Sequence, residues 1–278
     1  MLMPFTLAHP AVVLPLVRRP FVPGALVAGA MAPDLPYFLG AAGIASTRAG
    51  DWYGVFLNAT ETHGPLGLLL NLPFALALTA GWWLVRRPIA ALVGFTPATD
   101  DRPRARFLGW LLISAVIGIA THLIWDALTF TRLLQNLSTA VGLAVIAVYL
   151  WRHRRPSQTG AHRLGGGLRW VVIGVLVAAP VLGAVVQLPA DYRAVRTIEV
   201  VDYDHPQTVD DGNGNTSTSY PTTTADAPLS AVLEGVLTGA AKRAGAAFAV
   251  ALGLYAVAWQ LVSRRTGSST DQPAPAPH

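Results

Sequence analysis

Four apolar stretches, residues 65–85, 107–130, 169–189 and 244–262, decide what this chain can fold into. A bilayer core about 30 Å thick takes roughly 20 consecutive apolar residues to cross as a helix, and each stretch meets that length. A fifth, 137–151, is shorter and extends back to 133 if its polar residues face other helices. Composition agrees: 53% of the 278 residues are hydrophobic and 13% charged, against about 25% charged in a soluble domain. The fold class expected is all-α, a polytopic membrane helix bundle of about five spans plus an N-terminal helical hairpin. That hairpin comes from residues 9–17 and 22–32, each too short to span alone. They are separated by "RRPFVPG", with two arginines, two prolines and a glycine. Such a break at membrane depth is tolerated where protein covers it. Small residues four apart, Ala25 with Gly29 and Ala28 with Ala32, permit close helix packing there. No positive charge precedes Arg18 and no small-residue cleavage site follows it, so no removable signal peptide is expected.

Arginines in the short loops set the orientation. Residues 86–106 hold Arg86, Arg87, Arg102, Arg104 and Arg106, and residues 152–169 hold Arg152, Arg154, Arg155, Arg163 and Arg169. Loops 33–64 and 131–136 hold only Arg48 and Arg132. Five alternating spans then place the basic loops 86–106 and 152–169 on the cytoplasmic side of the cell membrane. Lys242 and Arg243 oppose this, but they belong to the long 190–243 region, and long loops weigh little. The net charge of +5 is thus a topology signal. No basic surface with interleaved aromatics suggests nucleic acid as a partner.

Three regions follow: 1–151, a membrane core; 152–262, additional spans with an external polar loop at 190–243; and 263–278, a Pro-rich disordered tail. Within the loop "VRTIEVVDY" reads as a strand, and "DDGNGNTSTSYPTTTADAP" as turns and flexible loop. "DGNGN" has the start of a calcium loop at Asp211, Asn213 and Asn215. Thr216 stands where glycine is expected and Thr222 where the distal glutamate is expected, so an external loop or small cap is preferred.

The unusual residues are polar ones at membrane depth. His122 and Asp126, four apart in the 107–130 span, project from one helix face with Thr121 and Thr129 near the same stripe. Ionisable residues inside spans face the bundle interior and are functional candidates by default. Asp126 falls near the external end, with His122 about 6 Å deeper. Glu61 and His63 immediately precede the span 65–85, Asp34 follows the helix 22–32, and His9 opens the first half-helix before Pro10. Each alone has a plainer role: a cap for Asp34, an interfacial position for His63, a terminal one for His9, a packing hydrogen bond for His122 and Asp126. Their arrival at one membrane level favours a shared site. Imidazoles and carboxylates without any cysteine suit zinc, manganese or iron. A bound ion would offset the burial of two aspartates and activate water against an ester or phosphoester. Glu61 is then a base or a partner of His63. His153, His162, His205 and His278 lie in loops or the tail. No G-x-S-x-G motif and no phosphate-binding glycine loop occurs; "LGGGLRW" only opens a span.

"MPFTLAHPAVVLPL", "AGAMAPDLPYFL", "THGPLGLLL" and "THLIWDALT" together resemble the uncharacterised bacterial membrane family called domain of unknown function 4184, over most of residues 3–150. Their order is also similar to membrane-bound metal-dependent hydrolases of the LexA-regulated inner-membrane type and, more distantly, to the zinc-dependent phospholipase C fold. The resemblance implies that His9, Asp34, His63, His122 and Asp126 occupy the motif positions. Phe130 stands where many relatives have histidine, and Leu35 and Pro36 replace the Asp-His that follows Pro-Asp in the hydrolases.

The expectation is a divalent metal, zinc first, on His63, His122, Asp126 and Asp34, with His9 a further ligand and Glu61 and Asp126 as catalytic groups. The activity is hydrolysis of a lipid or phosphoester at the external face, with membrane lipid as partner. Two alternatives stand beside it: a non-catalytic protein whose His/Asp set is a structural hydrogen-bond network, and a transporter or proton relay. The last ranks lower because no inverted repeat is visible.

Overall fold

A computed structural model describes residues 8–41, 43–44, 53–94, 100–153, 164–210 and 216–268. It is a helical membrane protein, with helices α1 (Pro10–Val13), α2 (Pro23–Met31), α3 (Leu35–Ala41), α4 (Gly54–Leu57), α5 (Ala59–Thr62), α6 (Gly67–Val93), α7 (Arg104–Leu128), α8 (Arg132–His153), α9 (Gly166–Val185), α10 (Leu188–Val195) and α11 (Leu229–Ser268). Five helical stretches among the described residues are long and apolar enough to cross a bilayer: Gly67–Val93, Arg104–Leu128, Leu133–His153, Gly166–Val195 and Leu229–Ser263. The expected bundle of five spans is therefore present, and the helix of the shortest, α8, extends back through 133.

Two boundaries differ from the sequence reading. α6 runs to Val93, so Arg86 and Arg87 sit on a helix and not in a loop. α11 starts at Leu229, so 229–243 is helix and not external loop. Leu229, Val232, Leu233, Val236 and Leu237 recur there at helical spacing and carry the span's amphipathic lead-in. The stretch read as turns and flexible loop also contains strands. β1 (Thr197–Val201) pairs antiparallel with β4 (Thr222–Asp226), and β2 (Gln207–Asp210) with β3 (Thr216–Ser219). Their Thr-rich sequence explains it, since β-branched residues fit a pleated surface. Asp211, Asn213 and Asn215 lie outside the described residues, as do 269–278 of the tail and His162.

The chain divides into two compact units, residues Met1–Leu176 with Ala249–His278, and Val177–Phe248. In the first, the N-terminal hairpin forms as expected. α1 continues through a 3₁₀ turn (Leu14–Leu16), the chain reverses, and α2 starts with Pro23 in its first turn. The Val22 N–H, at the start of α2, donates to Ser114 Oγ at 2.9 Å. α2 packs on α7 where Gly29 meets Gly118: a Cβ on Gly29 would lie 2.3 Å from the Ala115 carbonyl oxygen, and one on Gly118 2.3 Å from that of Leu26. Bare glycines let the two backbones touch. Around this contact lie the fully buried Ala25, Ala115 and Ile119 with Leu111, against which Leu72, Phe74 and Leu123 pack.

In the second unit, buried Asp191 on α10 pairs with Arg243 on α11. Gly239 makes room, since a Cβ there would come within 2.9 Å of the Asp191 carboxylate.

Candidate metal centre

Five polar side chains meet in the first unit where α7 crosses the C-terminal end of α2. His122 and Asp126 come from one face of α7. Asp34 closes the 3₁₀ turn (Ala32–Asp34) that follows α2 at Pro33. His63 is the C-cap of α5. His9 immediately precedes α1. His9, Asp34 and His122 are buried, and the side chains of His63 and Asp126 are only 11% and 14% exposed.

The imidazole orientations are fixed by backbone carbonyls. His122 Nδ1 donates to the Ala30 carbonyl at 2.8 Å, one of the acceptors left over at the end of α2. His63 Nδ1 donates to the Ala59 carbonyl at 2.7 Å. A carbonyl only accepts, so each Nδ1 carries its proton and each neutral ring turns an Nε2 lone pair inward. The two Nε2 atoms lie 3.2 Å apart. Asp126 Oδ2 is 3.2 Å from His122 Nε2 and 3.4 Å from His63 Nε2. Asp34 Oδ1 is 3.7 Å and 3.4 Å from the same two atoms. A tetrahedral ion with bonds of about 2.0–2.1 Å spaces its ligand atoms about 3.3 Å apart. Two nitrogens and two carboxylate oxygens at this spacing are all acceptors once both imidazoles are neutral, and they fit a divalent cation.

His9 plays a different part. Its Nε2 donates to Asp126 Oδ1 at 2.9 Å, leaving the other oxygen of Asp126 to face the two imidazoles. Its ring stacks on His122 at 3.9 Å between centroids. His9 Nδ1 is buried with no hydrogen-bond partner and points to Asp34 Oδ2 at 4.0 Å. Two overlapping groups could therefore hold an ion: His63, His122 and Asp126, or His9, Asp34 and His122.

Burial lowers the pKa of His63, but hydrogen bonds to Asp126, Asp34 and the Ala59 carbonyl outweigh it and push the value up to about 10. The centre thus attracts positive charge, as protons on imidazole or as a metal ion. Tyr37, on α3, has its ring 6.3 Å from that of His63. Burial raises its pKa, as do the charges of Asp34 and Asp126, so the phenol keeps its proton.

All five candidate ligands read from the sequence are brought together. Glu61 is not: it is exposed and belongs to neither ligand group. Thr121 and Thr129 also stay out, their hydroxyls donating to the Gly118 and Trp125 carbonyls of their own helix. Phe130 is 78% exposed beyond the end of α7, outside the buried set. Three supporting residues escaped the sequence reading. Buried Thr62 lies within 3.0 Å of both the Pro33 and Ala59 carbonyls, tying the Asp34 turn to α5. Buried Asn71 donates to the Thr62 and Gly67 carbonyls at 2.7 Å. Tyr37 is the third, and only its place three residues after Asp34 on a helical turn could have signalled it.

No curated protein and no solved structure matches this chain. A model of one family, described as a domain of unknown function (DUF4184), matches residues 3–132. That segment spans every residue from His9 to Asp126, and over it the chain is similar to the DUF4184 family.

Proposed function

We propose that this protein is a membrane-embedded metal-dependent hydrolase that cleaves an ester or phosphoester of a membrane lipid at the external face. The observation that carries the reading is the meeting of His63 and His122 Nε2 with Asp34 and Asp126 oxygens at 3.2–3.7 Å, with both Nδ1 protons committed to carbonyls. The donor set, with no thiol in the chain, favours zinc. A bound divalent ion supplies Lewis acidity and brings the pKa of water toward about 7.

The chain's own residues do the rest. His9 holds a proton at Nε2 against Asp126 Oδ1 and so orients the carboxylate. This pair takes the proton-handling role that Glu61, exposed and apart, does not fill. The protonated phenol of Tyr37 stands at the rim as a donor to developing negative charge. Leu128 and Phe130, both exposed beside Asp126, offer apolar surface to an acyl chain. The external placement rests on the arginine distribution, from which the basic segments 86–106 and 152–169 are read as cytoplasmic.

A purely structural hydrogen-bond network would hold an added proton on His63, whose pKa is pushed up to about 10, where the metal reading has the ion in its place. Metal analysis of purified wild type beside the His122→Ala plus Asp126→Ala double variant separates the readings. The expected result is about one ion per chain in wild type and none in the variant. Vesicles of phospholipid, incubated with each, should yield metal-dependent product only with wild type. A metal-free wild type overturns the proposal; a metal-loaded protein inert on lipid esters and phosphoesters removes the hydrolase and leaves a structural ion.

A further inference from the structure

At the far end of α6 from the metal centre is a second polar site. α6 starts at Gly67 beside Thr62, and at 1.5 Å per residue positions 83–87 lie about 24–30 Å further along. That is about the thickness of the bilayer core. A cavity of about 410 Å³ opens there between α6 and α11, lined by Trp83, Arg86, Arg87, Trp259, Gln260 and Ser263. Its walls are held together by a device built on a proline. Pro88 has no N–H, so it leaves the Leu84 carbonyl without its helical donor, and Gln260 Nε2 donates to that oxygen at 3.1 Å. Tyr255 donates its hydroxyl to the Pro88 carbonyl at 2.9 Å, one turn before Trp259 on α11. The cavity is therefore a fixed feature of the α6–α11 junction.

Its chemistry is one-sided. Two guanidinium groups line it, and no carboxylate does among the described residues. Guanidinium offers a planar fork of donors that matches phosphate oxygens. The two indoles are the side chains that sit at the membrane–water interface, with an apolar body and a polar N–H. Basic pockets between spans of this kind take up anionic headgroups.

We propose that this cavity binds a phosphate group, presented by the headgroup of an anionic phospholipid, on Arg86 and Arg87 with the Ser263 hydroxyl, the indoles flanking it. The site is separate from the metal centre and independent of any hydrolase activity. Binding is tested on the full-length protein in detergent, by native mass spectrometry with dioctanoyl phosphatidylglycerol, dioctanoyl phosphatidylcholine and inorganic phosphate as separate probes. Wild type should hold phosphatidylglycerol about tenfold more tightly than phosphatidylcholine. Arg86→Gln plus Arg87→Gln should abolish that preference. Arg86→Lys plus Arg87→Lys, which keeps the charge and loses the fork, should retain part of it. Arg104→Gln plus Arg106→Gln, an equal charge change at exposed positions on α7, should leave it intact. Inorganic phosphate bound through Arg86 and Arg87, with no preference between the lipids, would keep the phosphate site and assign it a free anion. Equal binding of all probes by wild type overturns the proposal. So does a preference that survives Arg86→Gln plus Arg87→Gln, or one lost equally in the Arg104→Gln plus Arg106→Gln control.

Discussion

His122 and His9 stack on each other, yet removing them should have different consequences. His122 turns Nε2 into the centre, so His122→Ala should remove the ion altogether in metal analysis of the purified protein. His9 acts through Asp126 Oδ1, so His9→Ala should keep a site that binds about 10–100-fold more weakly, read by competition with a chelator. Equal loss in both would make His9 a direct ligand. His63 also makes the centre sensitive to pH. Its pKa is about 10 in the folded, metal-free protein against 6.5 as the ordinary value. The stability it contributes is fully present below pH 6.5 and is lost as pH rises through about 10. Chelator-treated wild type should therefore lose melting temperature over that window more steeply than His63→Ala treated alike. Metal binding displaces the same proton, so affinity should rise with pH across the window. The ligands were legible because each is an ionisable residue at a depth where lipid-facing helices carry none. Tyr37, Thr62 and Asn71 were not, since hydroxyls, phenols and amides are common near span ends and acquire meaning only from what they touch.

Among the elements, the pairing of α2 with α7 positions the centre, because Ala30 and Asp34 reach His122 only across it. Gly118→Leu would drive a side chain into the Leu26 carbonyl, which the Cβ alone would approach to 2.3 Å. Overpacking of this kind costs on the order of 3 kcal/mol. The expected outcome is a lower melting temperature together with loss of bound metal, although residue 118 touches no ligand. Gly109→Leu, on the same helix where a Cβ meets nothing within 4 Å, should do neither. The spacing of small residues in "GALVAGAMA" announced a close contact in advance; it could not name Gly118 as the partner, because which helix a glycine faces is a property of the packed bundle. The same limit explains the ends of α6 and α11. Arginines read as loop residues remain helical when their alkyl stems run along the span, and a strand of threonines looks like a loop until its partner strand closes on it.

For the molecule as a whole, orientation is the property on which an external active site depends. Arg104 and Arg106 open α7, while Asp126 lies near its other end, so the candidate metal centre and the basic segment lie at opposite ends of one helix long enough to cross a bilayer. On the proposed reading, a cytoplasmic basic segment puts cleavage of the ester or phosphoester outside the cell, and the opposite orientation draws the substrate from the inner leaflet. The chain has no cysteine, so single cysteines report without background. Thr60→Cys lies exposed beside the centre and Asp101→Cys lies exposed in the basic segment. In intact cells a membrane-impermeant maleimide should label Thr60→Cys and spare Asp101→Cys, and permeabilised cells should show both labelled. The reverse pattern would move the centre to the cytoplasm while leaving its ligand geometry untouched. It would also place the arginine-lined cavity in the outer leaflet, where the headgroups available to it differ.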